Sequence, residues 1–428
     1  MLDIKVLRED PEAVKAGARK KRMADRGAAV DHALKIDAEL RALIPTLDGM
    51  RSEQKNAGKA MGKMAPAERE QFLLKQKELK QQLQGLEERE KTLRAELDQQ
   101  LSLIPNIPDS EVPEGKDDTE NVEWKRVGTV RQFDFAPKTH FEIGEAQGWL
   151  DFERAAALAG SRNYILMGDL ALLHDAVLRF AIDYMVKQGF TPIDPPLLVR
   201  DAAMFGTGFF PGGEEQTYRC ERDGLNLIGT SEVPVTSLHS GEILNEKDLP
   251  KKYVARSACF RREAGTYGKD TRGLYRVHQF QKVEQVVLDI GDKARSLEHH
   301  QSIVANAEAC LQAFELPYRI VAVCGGDLGV PQAFKYDIET WMPSRNAYGE
   351  THSASRFYEY QARRLQLRYR SESGKVQYCH TLNNTVIASP RALIPILENH
   401  QQKDGTVRLP SALVPYMGGR TVLGRPVF

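Results

Sequence analysis

The residues of this chain that can do chemistry concentrate in its second half. Residues 252–288 read as a strand, a long glycine-containing loop and a return strand. Alternation puts Cys259, Arg261 and Glu263 on one face of the first strand, and Phe260 and Arg262 on the other. On the return strand Arg276, His278, Phe280, Lys282 and Glu284 share a face. A hairpin gathers Arg261, Glu263, Arg276, Phe280 and Glu284 onto one surface. Any solvated strand carries charge, but two guanidiniums, two carboxylates and a ring beside a glycine-rich loop form a constellation. The guanidinium fork suits phosphate, which it can hold with paired hydrogen bonds. The ring offers a flat face on which a base can stack.

Three further segments carry polar chemistry. In 383–401 Ser389 reads as a helix N-cap with Pro390 at the first helical position. Arg391 then falls in the first turn, where the helix dipole disfavours a cation, unless it and the helix end together face a polyanion such as a triphosphate. In 346–355 Glu350, His352 and Ser353 can ligate a hard cation. Mg²⁺ prefers oxygen and keeps several waters, so one carboxylate and one hydroxyl suffice. His352 alone is more often a structural histidine. The segment 228–234 is a short acidic-polar turn after an apolar strand. The chain contains no P-loop and no G-x-G-x-x-G, so a nucleotide must be held another way.

These segments need positioning elements. Residues 171–190 form an amphipathic helix whose stripe includes Leu173, Val177, Phe180, Ala181 and Tyr184. Pro195 and Pro196 then force an extended segment. The strands that follow do not alternate regularly with helices. That predicts an α+β fold, an antiparallel sheet flanked by helices, in place of a doubly wound parallel sheet.

The first hundred residues differ in kind. They hold one aromatic, Phe72. Ala33, Ile36, Leu40, Leu43, Leu47 and Met50 recur at the 3–4 spacing of a coiled-coil seam. A second seam runs through Leu79, Leu83, Leu86, Glu90, Leu93 and Leu97. Pro66 sits where a new helix starts, and the short turn predicts an antiparallel helical hairpin about 50 Å long. Pro45 should kink its first helix. Arg51, Lys55, Lys59 and Lys63 form a stripe near the tip, and residues 14–26 carry six basic residues against one Asp. Such stripes are often only a solvated face. Two basic clusters on an arm without stacking aromatics suit the backbone of a folded, double-helical nucleic acid. The predicted boundaries are 1–105 for this domain, with the hairpin at about 30–101, then a linker over 106–135 rich in Pro and acidic residues, then 136–428.

Composition bounds the rest. The chain has 428 residues, and 59 Lys and Arg balance 59 Asp and Glu, which excludes a histone-like polycation. No run is apolar enough for a transmembrane helix, so no membrane partner is expected. The start has no apolar signal core and is too acidic for a transit peptide. Five cysteines without a C-x-x-C pair point to a reducing, cytoplasmic setting and to no zinc.

Taken in order, these segments resemble the motifs of a class II aminoacyl-tRNA synthetase. The stretch 189–199 is similar to its motif 1 with Pro196 at the key position, 260–285 to motif 2 and 388–401 to motif 3. More narrowly, Thr230-Ser231-Glu232, the FRRE at 260–263, the ETHSAS at 350–355, the QARR at 361–364 and the TLNNT at 381–385 resemble the seryl-tRNA synthetase family, as does the helical arm. The FRRE has Arg262 where the family often has Ser, and TLNNT replaces a Gly-Ser version, with Thr385 keeping the hydroxyl.

The resemblance implies activation of L-serine with ATP, giving seryl-adenylate and pyrophosphate, then transfer to the terminal ribose of serine tRNA, with selenocysteine tRNA as a family extra. It implies catalytic roles for Arg261, Glu263 and Arg391. ATP would contact Arg261, Arg262, Glu263, Arg276, Val277, Phe280, Glu350, Thr351, His352, Ser353 and Arg391. Mg²⁺ would sit on Glu350 and Ser353. Serine would be held by Thr230, Ser231, Glu232, Arg261, Glu284, Asn383 and Thr385. The tRNA would meet Lys20, Lys21, Arg22, Arg51, Lys55, Lys59 and Lys63, and motif 1 implies a homodimer. Two alternatives stay open at this point: a related ligase that loads a carrier protein, and a non-catalytic paralogue. A coiled-coil scaffold with an unrelated globular end fits the clustered Arg, Phe and Glu poorly.

Overall fold

The computed structural model describes residues 1–61, 66–265, 268 and 272–428, with side chains undescribed over 58–67. It divides into two units, Met1–Ile107 and Pro108–Phe428.

In the first unit, two short helices, Ile4–Glu9 and Pro11–Lys20, start on the side chains of Asp3 and Asp10, which accept from Lys5 and Ala13 backbone N–H groups. They are followed by α1 (Gly27–Met61) and α2 (Pro66–Leu103). The seam buries Ala33, Leu40 and Leu47 of α1 and Leu79, Leu83 and Leu93 of α2. The cross-helix ion pairs Lys75–Glu53, Arg51–Glu87 and Arg89–Glu39 step in opposite directions along the two helices, as an antiparallel hairpin requires. Pro45 lies inside α1 without ending it. The lost backbone hydrogen bond costs about 3 kcal/mol, and the burial of Leu40 and Leu47 on either side offsets it.

The second unit is built on an eight-stranded sheet: β1 (Val122–Val127), β2 (Thr191–Ile193), β3 (Lys251–Phe260), β4 (Gln279–Asp289), β5 (Tyr318–Ala322), β6 (Phe334–Met342), β7 (Ala347–Tyr358) and β8 (His380–Ser389). Their order is β1-β5-β6-β7-β8-β4-β3-β2. All neighbours are antiparallel except β2 against β3. This is the α+β architecture that the sequence predicts. Four helices matter for the site: α3 (His140–Ala146), α4 (Gly168–Lys187), α5 (Glu232–Thr236) and α7 (Leu393–His400), with α6 (Lys293–Ala313) between them in the chain. Leu173, Val177 and Ala181 of α4 join Val304 and Phe314, Val283 and Val287 of β4, and Leu393 and Ile396 of α7 in one core.

Two expectations change here. The segment 106–135 is not a free linker: residues from Pro108 on belong to the second unit, and β1 pairs with β5 as an edge strand of its sheet. Asp109 accepts from the buried Arg356 and from the Tyr358 hydroxyl. Asp109 and Glu111 are both partners of the buried Arg356, a role that composition cannot distinguish from solvation. Ser389 is also not a helix cap. The pairing of β4 with β8 continues to Gln281–Ser389, so the ladder carries Ser389 and the helix starts at Leu393.

Candidate active site

The site lies on one face of β4, β7 and β8 and against the ends of the loop 261–278. On β4, residues 280, 282 and 284 alternate onto that face, so Phe280, Lys282 and Glu284 all line the cavity. Glu284 pairs with Thr385 across the ladder, and Asn383 lies on the same wall.

On β7 the spacing of Glu350 and Ser353 would place them on opposite faces of a regular strand. A bulge corrects this: Ser353 pairs with Asp337, His352 with Ile338 and Glu350 with Glu339, leaving Thr351 as the extra residue. Glu350 and Ser353 thereby face the same way, and both line the cavity. The Thr351 hydroxyl is held inside by Thr340 at 2.7 Å and by His352 Nδ1 at 2.8 Å. Burial holds the His352 pKa down at about 4, so its ring is neutral.

One end of the cavity is a closed polar network. Lys282 Nζ donates to Glu284 Oε2 at 2.6 Å and to Thr230 Oγ1 at 2.6 Å. Lys282 is 5% and Glu284 3% exposed, so this ion pair is nearly free of water. The Thr385 hydroxyl donates to Glu284 Oε2 at 3.3 Å. Beside them Glu232 accepts from Gln361 Nε2 at 2.9 Å, and Gln361 is itself held by Thr381 at 2.6 Å. Burial, then the neighbouring Glu284 charge, pushes the Glu232 pKa up to about 7.

The other end is cationic. The Arg261 guanidinium lies over the Phe280 ring, 5.2 Å from its centroid, and donates to the Gly229 carbonyl at 3.3 Å. Arg391 donates to the Glu350 carbonyl at 3.1 Å and twice to the Tyr275 carbonyl at 3.3 Å, and it stacks 4.4 Å from the Tyr275 ring centroid. Arg276 reaches Glu263 at 3.5 Å and lines a contiguous recess with Arg261, Glu263, Glu350 and Arg391. Glu350 sits among these cations. Withdrawal from water favours its acid form, but Arg391, Lys335, Arg261 and Arg276 together outweigh that and hold its pKa below the ordinary carboxylate value.

The structure therefore brings together Thr230, Glu232, Arg261, Glu263, Val277, Phe280, Glu284, Glu350, Thr351, His352, Ser353, Asn383, Thr385 and Arg391 in one cavity, with Arg276 in the adjoining recess. Two expected residues stand apart. Arg262 is exposed and lines neither space; its backbone N–H donates to the Gln216 carbonyl. Ser231, the residue before α5, is fully buried and lies outside the lining. Among the residues that sequence reasoning left without a role, Lys282, Tyr275, Gln332 and Ser355 also line the cavity. Alternation had already put Lys282 on this face; what it could not show is that the ammonium is buried against Glu284.

In the first unit Lys20 is half-buried, and Arg22 and Lys55 are exposed. Lys21 is 1% exposed and so is withdrawn from the surface where a nucleic-acid contact was expected. It follows directly on the helix Pro11–Lys20, and the partial negative charge of a helix C-terminus favours a cation held close. Arg51 is engaged across the hairpin with Glu87 and Glu90. Lys63 and the Lys59 side chain lie outside the described residues.

Comparisons with known proteins agree with this architecture. Residues 218–400 match the family profile "tRNA synthetase class II core domain (G, H, P, S and T)", and residues 1–108 match "Seryl-tRNA synthetase N-terminal domain". A serine–tRNA ligase of Deinococcus radiodurans is 49% identical over 427 residues, covering 100% of both chains. The chain belongs to the seryl-tRNA synthetase family. The serine–tRNA ligase of Thermotoga maritima is 47% identical over 98% of this chain and 99% of its own. The crystal structure of the seryl-tRNA synthetase from Pyrococcus horikoshii, complexed with ATP, superposes with a TM-score of 0.93 at 40% identity and full coverage of both chains. Membership makes this chain an aminoacyl-tRNA ligase that joins serine to tRNA. No helix among the described residues is long and apolar enough to cross a membrane.

Proposed function

We propose that the two ends of the cavity divide the activation step between them. The closed end takes serine. Glu284, fixed by Lys282, accepts from the substrate hydroxyl or ammonium, and Thr230, Glu232, Asn383 and Thr385 complete the wall. A site that must hydrogen-bond a hydroxyl rejects alanine strongly, because its buried polar groups would otherwise stay unpaired. The cationic end takes ATP. Arg261 bridges the serine carboxylate and the α-phosphate, and Arg276 and Arg391 hold the remaining phosphates. Phe280 stacks on adenine, Glu263 accepts from an amino group, and the backbone near Val277 reads the adenine edge.

A serine carboxylate oxygen attacks the α-phosphorus, a P–O bond forms, and pyrophosphate leaves with the electrons of the broken bond. The tRNA ribose hydroxyl then attacks the adenylate carbonyl, and AMP leaves. Neither step needs a covalent enzyme intermediate, so the protein contributes positioning and charge stabilisation. Glu350 and Ser353 would hold Mg²⁺. The bulge at Thr351 sets both oxygens on one face, and the surrounding cations keep Glu350 ionised, a donor set suited to a hard ion that keeps most of its waters. When bound, the ion would neutralise phosphate charge.

The single observation that carries this reading is the Thr230–Lys282–Glu284 network on the same wall as Arg261 and Arg391. Pyrophosphate exchange measured with each amino acid in turn tests it: serine supports exchange and alanine does not. Exchange with another amino acid, or none with serine, contradicts it.

The hairpin of the first unit takes the serine tRNA by its backbone, with Lys20, Arg22, Lys55, Lys59 and Lys63 as the candidate contacts. Reversing Lys55 and Lys59 to Glu is expected to lower aminoacylation about tenfold while leaving pyrophosphate exchange unchanged; equal loss of both refutes the division. The motif 1 elements α4 and β2 form the interface of a homodimer, which exposed Met167 and Leu172 support. The enzyme works in the cytoplasm, where its tRNA is charged.

A further inference from the structure

A second network, of the buried His140 and Glu398 with Ser344, lines neither the cavity nor the adjoining recess. Glu398 of α7 is fully buried. Its Oε1 accepts from the His140 backbone N–H at 3.0 Å, from His140 Nδ1 at 2.7 Å and from the Ser344 hydroxyl at 2.8 Å; its Oε2 accepts from the Ser344 N–H at 3.0 Å. Every partner is a donor, so Glu398 is ionised and His140 carries its proton on Nδ1. Nε2 is then an obligatory acceptor, and it takes the Leu274 backbone N–H at 3.1 Å.

That bond ties down the far end of the loop 261–278. The same helix, α3, grips the loop twice more. Arg272 pairs with Glu145 at 2.8 Å and stacks 4.6 Å from the Phe141 ring centroid. Gly273 makes the approach possible: its φ is +94°, and a Cβ there would stand 2.6 Å from His140 Nε2. Tyr275, the residue after Leu274, supplies both the carbonyl and the ring that hold Arg391. Arg391 precedes α7, the helix that carries Glu398. The phosphate-facing arginine is thus referred to one buried carboxylate by two routes, along the chain through α7 and across space through His140, Leu274 and Tyr275.

We propose that His140 is a positioning residue for the ATP end of the site, setting Tyr275 and through it Arg391, with Glu398 fixing its tautomer. The proposal rests on the assignment of that end to ATP. Pyrophosphate exchange is measured for the unchanged protein, His140→Leu, His140→Gln and Gly273→Ala, with serine and ATP varied separately. Glutamine places a donor and an acceptor at about the separation of the two ring nitrogens, so it can serve both Glu398 and the Leu274 N–H.

His140→Leu is expected to raise the ATP KM about tenfold with the serine KM within twofold, and His140→Gln to recover most of that. Gly273→Ala, which crowds the same contact from the other side, is expected to reproduce the selective ATP effect. Should His140→Leu not fold, Gly273→Ala decides alone. An unchanged ATP KM, a parallel rise in both constants, or a glutamine variant no better than leucine overturns the role of His140. Absence of serine-dependent exchange in the unchanged protein refutes the assignment of the cavity instead.

Discussion

The two ends of the cavity share a wall but are organised in opposite ways. At the closed end the polar groups satisfy one another before any ligand arrives: Lys282 holds Glu284 and Thr230, and Gln361 holds Glu232. At the open end the guanidiniums are held by backbone carbonyls and aromatic faces, with Arg391 on the carbonyls of Tyr275 and Glu350 and Arg261 over Phe280. Carbonyls and rings orient a cation without neutralising it, so its field stays available to phosphate. On the proposed division, a small zwitterion would meet a preformed, charge-compensated socket, and a polyanion would meet cations only partly offset by Glu263, 3.5 Å from Arg276, and Glu350, 3.9 Å from Arg391. On that proposed division, specificity would belong to the first arrangement and rate to the second.

Breaking the open end has the largest expected effect. Arg391→Ala removes a phosphate-facing charge and releases the Tyr275 carbonyl. Serine-dependent exchange should fall by about 10²- to 10³-fold, the usual cost of losing one preorganised charge stabiliser. Near-normal exchange in that variant would reject its phosphate role. At the closed end, Glu284→Gln keeps the shape but leaves the Lys282 ammonium without its carboxylate. Losing a charged hydrogen bond costs about 1.5–3 kcal/mol, so the efficiency of exchange with serine should drop about ten- to hundredfold.

The smallest effect is a pH slope. Glu232 has a pKa near 7 in the fold, above the ordinary carboxylate value of 4.5. The native state therefore keeps a proton that the unfolded chain releases. Its contribution to stability is full below about pH 4.5 and is lost as pH rises through about 7. Glu232→Gln cannot ionise, so its melting temperature should gain on that of the parent between pH 5 and 8. A constant difference across that range would show that Glu232 is already ionised in the empty site.

Much of this was legible in the residues, and the reasons differ by element. Period-two alternation placed Phe280, Lys282 and Glu284 on one face, because β4 is regular there. Alternation alone would separate Glu350 from Ser353 on β7, where the bulge at Thr351 lets them face the same way; pairing against β6 decides that, and a single strand does not record its partner. The Ser389-Pro390 signature points to a helix start, but the ladder with β4 takes Ser389 into the sheet. Lys21 reads as a nucleic-acid contact and the acidic residues after Pro108 as part of a linker, and burial can be seen only once the chain is folded around them. Gln361 lies in the QARR and Glu398 in the motif 3 stretch, but these two and His140 act through other residues, so no local spacing marks what they do.

The central claim is that the two ends act on different substrates. Initial-rate pyrophosphate exchange on Glu284→Gln, with serine and ATP varied independently, tests it most directly. The account predicts a serine KM raised at least about tenfold with the ATP KM unchanged. Serine and ATP constants that rise together would contradict it.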